Sequence, residues 1–385
     1  MNDWFMNRWL MAGWLMVGGV AQAQTSGPPS FIEHRPAGET EPASPLRLAQ
    51  ADFEQGVRLL QDKKYVPAAE AFQRATKIAP EFFEAYNNCG IALVQAGRES
   101  TTDEQRLQRY QLAADKFSKA AELRPQEKAV YVMWSETLVM LGDLPLEPRM
   151  RLGCYMGAVE KCRKAAELAP GDWEIWNKWG VILLTKLAVF TQERATRIQV
   201  YQDAAERFER AAQRARFSRD VGAMDANWAE ALAQQARLMD NPAKRQETLR
   251  AALAKFEQSA RVFPAAASTY AMWGSALMEL GKSTRLRSDL RAAADKLTGS
   301  LNLRANDPGV LYNLACVYTL LDNNVVALQH LKKCIESDHS NTYLMLAYRD
   351  PDLEPLRKDP GFNDLFGDAL RSLPGTRPVL SDSPR

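Results

Sequence analysis

Histidine, cysteine and clustered carboxylates are the residues best able to do chemistry in a chain, and here none is arranged to do it. The 385 residues contain three His, His34, His330 and His339, with no H-E-x-x-H spacing and no companion ligands for a metal. The five Cys, Cys89, Cys154, Cys162, Cys316 and Cys334, form no C-x-x-C pair. An odd number precludes a fully paired disulfide framework, and all five fall in helical patterns where a buried thiol is expected. Cys316 with Cys334, on the two helices of one predicted hairpin, is the one pairing worth testing. The chain lacks G-x-S-x-G, G-x-x-x-x-G-K-[ST] and G-x-G-x-x-G, the backbone devices of nucleophilic hydrolysis and phosphate binding. Asp and Glu lie along polar helix faces in i,i+4 company with Lys and Arg. The reading is no catalytic residue, no cofactor and no metal, so function must come from binding.

The elements that would position a binding site are helices. Hydrophobic residues make up 46% of the chain and charged residues 25%, with Ala, Leu, Arg, Glu and Gln prominent over β-branched types. Forty-nine basic residues against 47 acidic ones leave a formal charge of +2, a field that gives no reason to expect nucleic acid as a partner.

Internal repetition is the main signal. Helix-ending prolines recur at Pro80, Pro125 and Pro170, 45 residues apart, and again at Pro264, 94 residues on. A second ladder runs through Cys89, Trp134, Trp179, Trp228 and Trp273, each followed by a small residue: Gly90, Ser135, Gly180, Ala229 and Gly274. In the first unit Gly56, Ala68, Phe72, Ala75 and Pro80 take the spacing of a 34-residue helical hairpin, and Gly90 opens the next unit 34 residues later. The pattern resembles the tetratricopeptide repeat. Units two to four carry it at Tyr86, Ala113, Phe117 and Ala120, then Tyr131, Ala158, Cys162 and Ala165, then Trp176, Ala204, Phe208 and Ala211. Units five to seven carry it at Ala252 and Phe256, Tyr270, Ala293 and Leu297, and Leu311, Ala315, Ala327 and Leu331. The resemblance implies an all-α, right-handed superhelical solenoid of about seven hairpins, the small residues letting paired helices approach closely. The Trp ladder is read as core packing rather than a ligand platform.

The departure from the family is length. Gly56 to Ala68 spans 12 positions, whereas Gly90 to Ala113, Ser135 to Ala158 and Ala229 to Ala252 each span 23. An insertion of 11 residues amounts to about three helical turns. Shared between two helices it lengthens each by roughly 8 Å at about 1.5 Å per residue, so units two to five are expected to have elongated helices. Long hairpins of this kind resemble those of plant mitochondrial import receptors in shape alone.

The ends differ from the array. Arg8, an apolar run from Trp9 to Val20, and Ala21-Gln22-Ala23 form a leader whose removal leaves Gln24, with Met1 or Met6 as the start. The expectation is export, to a bacterial periplasm, with an inner-membrane signal anchor as the alternative, since the run is shorter than the ~20 residues of a spanning helix. Residues 24–48 read as a Pro-rich disordered spacer, 49–339 as the array, 340–373 as a cap and 374–385 as a disordered tail. The cap resembles the end-of-group module of tetratricopeptide arrays through Asp350, Pro351, Leu353, Leu356, Asp359, Pro360, Phe362 and Leu365.

By this register the first helices of successive hairpins line a groove for a peptide or a partner helix. Its candidates are Phe53, Val57, Asn87, Ile91, Val132, Glu136, Asn177, Val181, Glu230, Met278 and Tyr312. Where chaperone-tail receptors of the family clamp a terminal carboxylate with Lys and Asn, this chain has Phe53 and Val57 and retains Asn88 alone, so that ligand class is disfavoured. Arg245, Arg250, Arg285, Arg287 and Arg291 form a possible basic rim, the one place besides the leader where a membrane surface is considered. The resulting expectation is a non-enzymatic scaffold or adaptor in the cell envelope that holds a protein or peptide. The alternative is a self-associating structural repeat.

Overall fold

The computed structural model describes residues 44–215, 220–338, 340 and 342–371. The leader, the spacer up to residue 43, His34, His339 and the tail lie outside them. All regular elements among the described residues are helices. The described residues divide into two compact units, 44–215 and 220–371.

The first unit stacks four antiparallel hairpins: α1 (Pro45–Gln61) with α2 (Tyr65–Ile78), α3 (Phe83–Arg98) with α4 (Asp103–Leu123), α5 (Lys128–Gly142) with α6 (Pro148–Leu168), and α7 with α8 (Arg194–Arg214). Helix α7 runs as Trp173–Ile182 and continues through a π-helical turn, Leu183–Leu187, to Ala188–Phe190. The second unit contains α9 (Val221–Leu238) with α10 (Pro242–Val262), α11 (Ala267–Thr284) with α12 (Arg287–Leu303), and α13 (Pro308–Leu320) with α14 (Asn324–Ser337). Sequence signals explain the starts: Ser44, Thr102, Asn241, Asp307 and Asn323 accept hydrogen bonds from first-turn amides. Pro148, Pro242 and Pro308 occupy opening positions where no amide is needed. Helix α1 begins at Pro45, inside the segment read as spacer.

Each hairpin is closed by a small residue against a bulky one. A Cβ built on Gly56 would stand 2.6 Å from the Phe72 ring, on Gly90 2.7 Å from Phe117, on Gly180 2.8 Å from Phe208 and on Gly274 2.6 Å from Leu297. These four bulky partners are fully buried, each worth about 1.5–3 kcal/mol of transfer free energy. In the third hairpin both members change together: Ser135 fills the glycine's place, Cys162 the aromatic's, and their Oγ and Sγ lie 3.1 Å apart.

The long hairpins add a second layer of the same design. Two turns beyond the first small residue comes another, Gly97, Gly142, Ala236 or Gly281; two turns before the bulky residue comes Tyr110, Tyr155, Leu249 or Leu290. Gly97 abuts Tyr110, Gly142 abuts Tyr155 and Gly281 abuts Leu290, too closely in each case for an added Cβ. In the fourth hairpin the small-to-small spacing is 24 rather than 23 (Gly180 to Ala204). The π turn absorbs that extra residue, so Ala188, buried, stands at the second-layer position opposite Tyr201 in register.

The added length is not shared equally. Helices α4, α6, α8 and α10 each have 21 residues against 14 in α2 and α14, about 10 Å longer at 1.5 Å per residue. First helices show no such uniform gain: α3 has 16 residues, α5 has 15 and α9 and α11 have 18 each, against 17 in α1 and 13 in α13. Helix α12, with 17, lies between the two classes.

The second unit ends in a broken hairpin. Helix α15 (Thr342–Ala347) starts 34 positions after Pro308, where the first helix of an eighth hairpin belongs, but runs for six residues. Pro351 and Pro355 each remove an amide and obstruct the preceding turn. The chain continues as two 3-10 turns, Pro351–Leu353 and Leu356–Lys358, before α16 (Pro360–Arg371). Leu353, Leu356 and Phe362 enter one core with Met278, Tyr312 and Leu331.

Candidate functional site

The candidate groove positions of the first unit fall at i, i+4 on each first helix and therefore share a face. Val57, Ile91, Val132 and Val181 on α1, α3, α5 and α7 are half-buried, as are Asn87 and Asn177. One turn further, Val94 and Leu184 are buried and form the floor. Phe53 belongs largely to the core: its ring centroid lies 5.6 Å from that of Phe72 and 4.8 Å from that of Phe82.

Charge on this face is matched within the protein. Glu136 of α5 is bound by Lys178 of α7. Lys186 donates to both carboxylate oxygens of Asp143, at 2.7 and 2.8 Å, and Lys128 pairs with Asp172 at 2.7 Å. Three ion pairs thus staple α5 to α7 along their length. Glu136, expected in the groove, is half-buried and engaged by a partner 42 residues on. The Asn177 Oδ1 differs, being buried without a hydrogen-bond donor among the described residues. A buried acceptor left unpaired costs about 1–3 kcal/mol.

The second unit treats the same register differently. Met278 and Tyr312, expected in the groove, are fully buried. The reason is the broken hairpin, which lies against α11 and α13. The Tyr312 hydroxyl donates to Asp350 Oδ2 at 2.8 Å, Cys316 Sγ lies 3.9 Å from the same oxygen, and Lys282 pairs with Asp352 at 3.0 Å. Glu230 is half-buried, with Oε1 taken by Gln234 at 2.6 Å and Oε2 unpaired.

Cys316, Asp350 and Asp352 bring potential metal-ligand atoms within 4.8 Å of one another, all buried. The donors are committed elsewhere: Asp350 Oδ1 accepts from the Asp352 amide at 2.9 Å, Oδ2 from Tyr312, and the Lys282 ammonium meets the charge of Asp352. The cluster therefore does not fit a metal as it stands and fastens the cap to the array. Cys316 and Cys334 are not bridged to each other and face different partners, Asp350 and the Pro308 carbonyl. Burial pushes the thiols of Cys89 and Cys162 up to about 11 and that of Cys334 higher still, which makes them poor nucleophiles.

The expected basic rim is partly structural. Arg245 donates to the Met239 carbonyl at the end of α9, and Arg287 to the Leu321 carbonyl and to Asp322. Arg285 closes α11 in the left-handed region, at φ 62°. Arg250 and Arg291 are exposed.

Sequence reasoning missed a ladder of cations on the Trp rings. Lys161 lies 4.0 Å from the Trp134 centroid, Arg207 4.3 Å from Trp179, Lys255 3.7 Å from Trp228 and Lys296 3.7 Å from Trp273. The legible signal was a basic residue 27 positions after the Trp, 28 in the hairpin with the π turn and 23 in the shorter one. One face of each ring is thereby taken by the protein's own second helix, which agrees with a packing role for the ladder.

The chain of a C-terminal part of a tetratricopeptide repeat-containing protein from Cytophaga hutchinsonii superposes with a TM-score of 0.50 at 14% identity, over 75% of this chain and 96% of that one. The fold is that of a tetratricopeptide repeat protein. YrrB, a tetratricopeptide repeat protein with an unusual peptide-binding site, is similar at 16% identity and TM-score 0.41, over 61% of this chain and 98% of its own. PilW, a type IV pilus biogenesis factor, is similar at 16% and 0.44, over 70% and 97%. No protein-family model and no curated protein sequence matches. Among the described residues no helix is long and apolar enough to cross a membrane.

Proposed function

We propose that this protein is a non-enzymatic scaffold that holds an extended, largely uncharged segment of a partner protein on the α1–α3–α5–α7 face. The observation that carries the reading is the composition of that face: Val57, Ile91, Val132 and Val181 are half-exposed while its charges are paired internally. On α5 and α7 an incoming charge meets opposites that are already engaged, and an apolar side chain finds a floor. Asn87 and Asn177 are half-buried on that face, and their side-chain amides suit an extended ligand better than an inserted helix. An extended backbone has free amides to donate, whereas a helix interior has spent them on its own carbonyls. The leader read from the sequence supports a cell-envelope location for this activity, in the periplasm once it is cleaved.

The test is affinity capture from the envelope fraction with the mature protein, beside an Ile91→Glu, Val132→Glu variant of unchanged helicity. A partner retained by the wild type and lost by the variant is expected. Equal recovery by both would refute the face assignment. Light scattering on the purified protein checks self-association, and a monomer is expected.

A further inference from the structure

We infer that the chain supplies its own ligand to the second unit: Asp350–Leu353 occupies the first-helix face of α11 and α13, and external recognition is confined to α1, α3, α5 and α7. The inference rests on the proposed binding role of the first-unit face and adds where that role stops.

The argument is one of equivalent positions. Counted from the small residue that closes each hairpin, Tyr312 stands where Asn87 and Asn177 stand, three before, and Cys316 where Ile91 and Val181 stand, one after. Met278 matches Val94 and Leu184, four after. In the first unit the first two of these positions are half-exposed. In the second all three are fully buried, and what covers them is visible. Asp350 sets its carboxylate on the Tyr312 hydroxyl and the Cys316 thiol, Asp352 reaches Lys282, and Leu353 enters the core beside them.

The occupant is an acidic turn, and the face under it supplies what such a turn needs. Tyr312 offers a hydroxyl, Lys282 an ammonium, and Arg357 returns from the cap to the Asp350 carbonyl at 2.8 Å. In the first unit Phe53, Asn87, Val132 or Asn177 stands at the Tyr312 position and Lys64, Arg98, Asp143 or, past the π turn, Val189 at the Lys282 position, so the pairing of a hydroxyl with an ammonium does not recur across its hairpins. The two faces thus differ in chemistry as well as access. A covalently tethered occupant acts at an effective concentration on the order of millimolar, so a free peptide of ordinary affinity does not displace it. The proline break that halts α15 is the device that turns a would-be eighth hairpin into this occupant.

Hydrogen–deuterium exchange on the full chain tests the division. The probe is a short end-blocked peptide alternating Ser with Val and Leu, added well below the millimolar range. Slowed exchange is expected in segments 87–98, 128–142 and 173–187, with 267–284 and 308–320 unchanged. In an Asp350→Ala, Asp352→Ala variant of unchanged helicity, faster basal exchange is expected in 308–320, because the occupant is loosened. Probe-induced protection of 308–320 in the wild type overturns the inference, as does a variant whose 308–320 exchange equals the wild type's. No protection in any segment, with the variant behaving as expected, instead strikes the first-unit reading on which the inference stands.

Discussion

Gly142 and Gly153 lie eleven residues apart and should respond in opposite directions to the same substitution. Gly142 ends α5 beneath Tyr155, and a Cβ there would stand 2.7 Å from Tyr155 Cε1 and 3.0 Å from Cδ1 and Cζ. The ring cannot swing aside freely: it is fully buried, and its hydroxyl lies 2.8 Å from the Gly142 carbonyl and 2.7 Å from Asp143 Oδ1, two acceptors that share its one proton. Gly142→Ala gains about 1 kcal/mol of helix propensity. Against this stand about 1–3 kcal/mol of overpacking and about 1 kcal/mol for each hydrogen bond the shifted ring gives up. The net is a loss of roughly 1–3 kcal/mol, or several degrees at about 2–4 °C per kcal/mol. Gly153 sits inside α6 with no atom within 4 Å of an added Cβ. There Ala gains about 0.5–1 kcal/mol, and the melting temperature should rise by a few degrees. Thermal and urea unfolding followed by helical circular dichroism give both values from matched samples. A Gly142→Ala protein as stable as Gly153→Ala would refute the close-packed second layer and the account of the elongated hairpins built on it.

The cation ladder separates into two kinds of contact. Lys161→Met removes a stack on Trp134 and should cost about 0.5–1 kcal/mol in urea unfolding. Lys255→Met also strips the 3.7 Å ion partner from Asp225, whose carboxyl burial already pushes up, and should cost about 1–3 kcal/mol. Equal costs would show that Asp225 gains nothing from Lys255. The buried thiols make stability fall in alkali. Cys89 and Cys162 ionise at about 11 folded but near 9 unfolded, so only the unfolded chain releases these protons between those values. Their contribution is complete below pH 9 and is lost as pH rises toward 11. A Cys89→Ala, Cys162→Ala variant should show a flatter decline in urea midpoint across that window, and parallel profiles would count against the burial of these thiols.

The repeat register was legible in the sequence because close helix pairing leaves a local, periodic mark. A small residue must oppose a bulky one within a single hairpin, so Gly56 with Phe72 and Gly90 with Phe117 are written at regular spacing. The second layer was equally present, as Gly142 with Tyr155, yet without a known turn length between them nothing joined the two. The π turn is the sharpest case: one extra residue in the fourth unit showed only as a spacing of 24, and the packing of Ala188 shows where it went. Tertiary structure alone decided the character of the binding faces. Glu136 and Lys178, or Tyr312 and Asp350, are 42 and 38 residues apart on different elements, and no periodicity relates them. Whether a groove carboxylate is open or paired, and whether Tyr312 meets solvent or the chain's own acidic turn, depends on where elements distant in sequence come to rest. Periodicity reports which face of a helix is inward; only the completed packing reports what lies upon it.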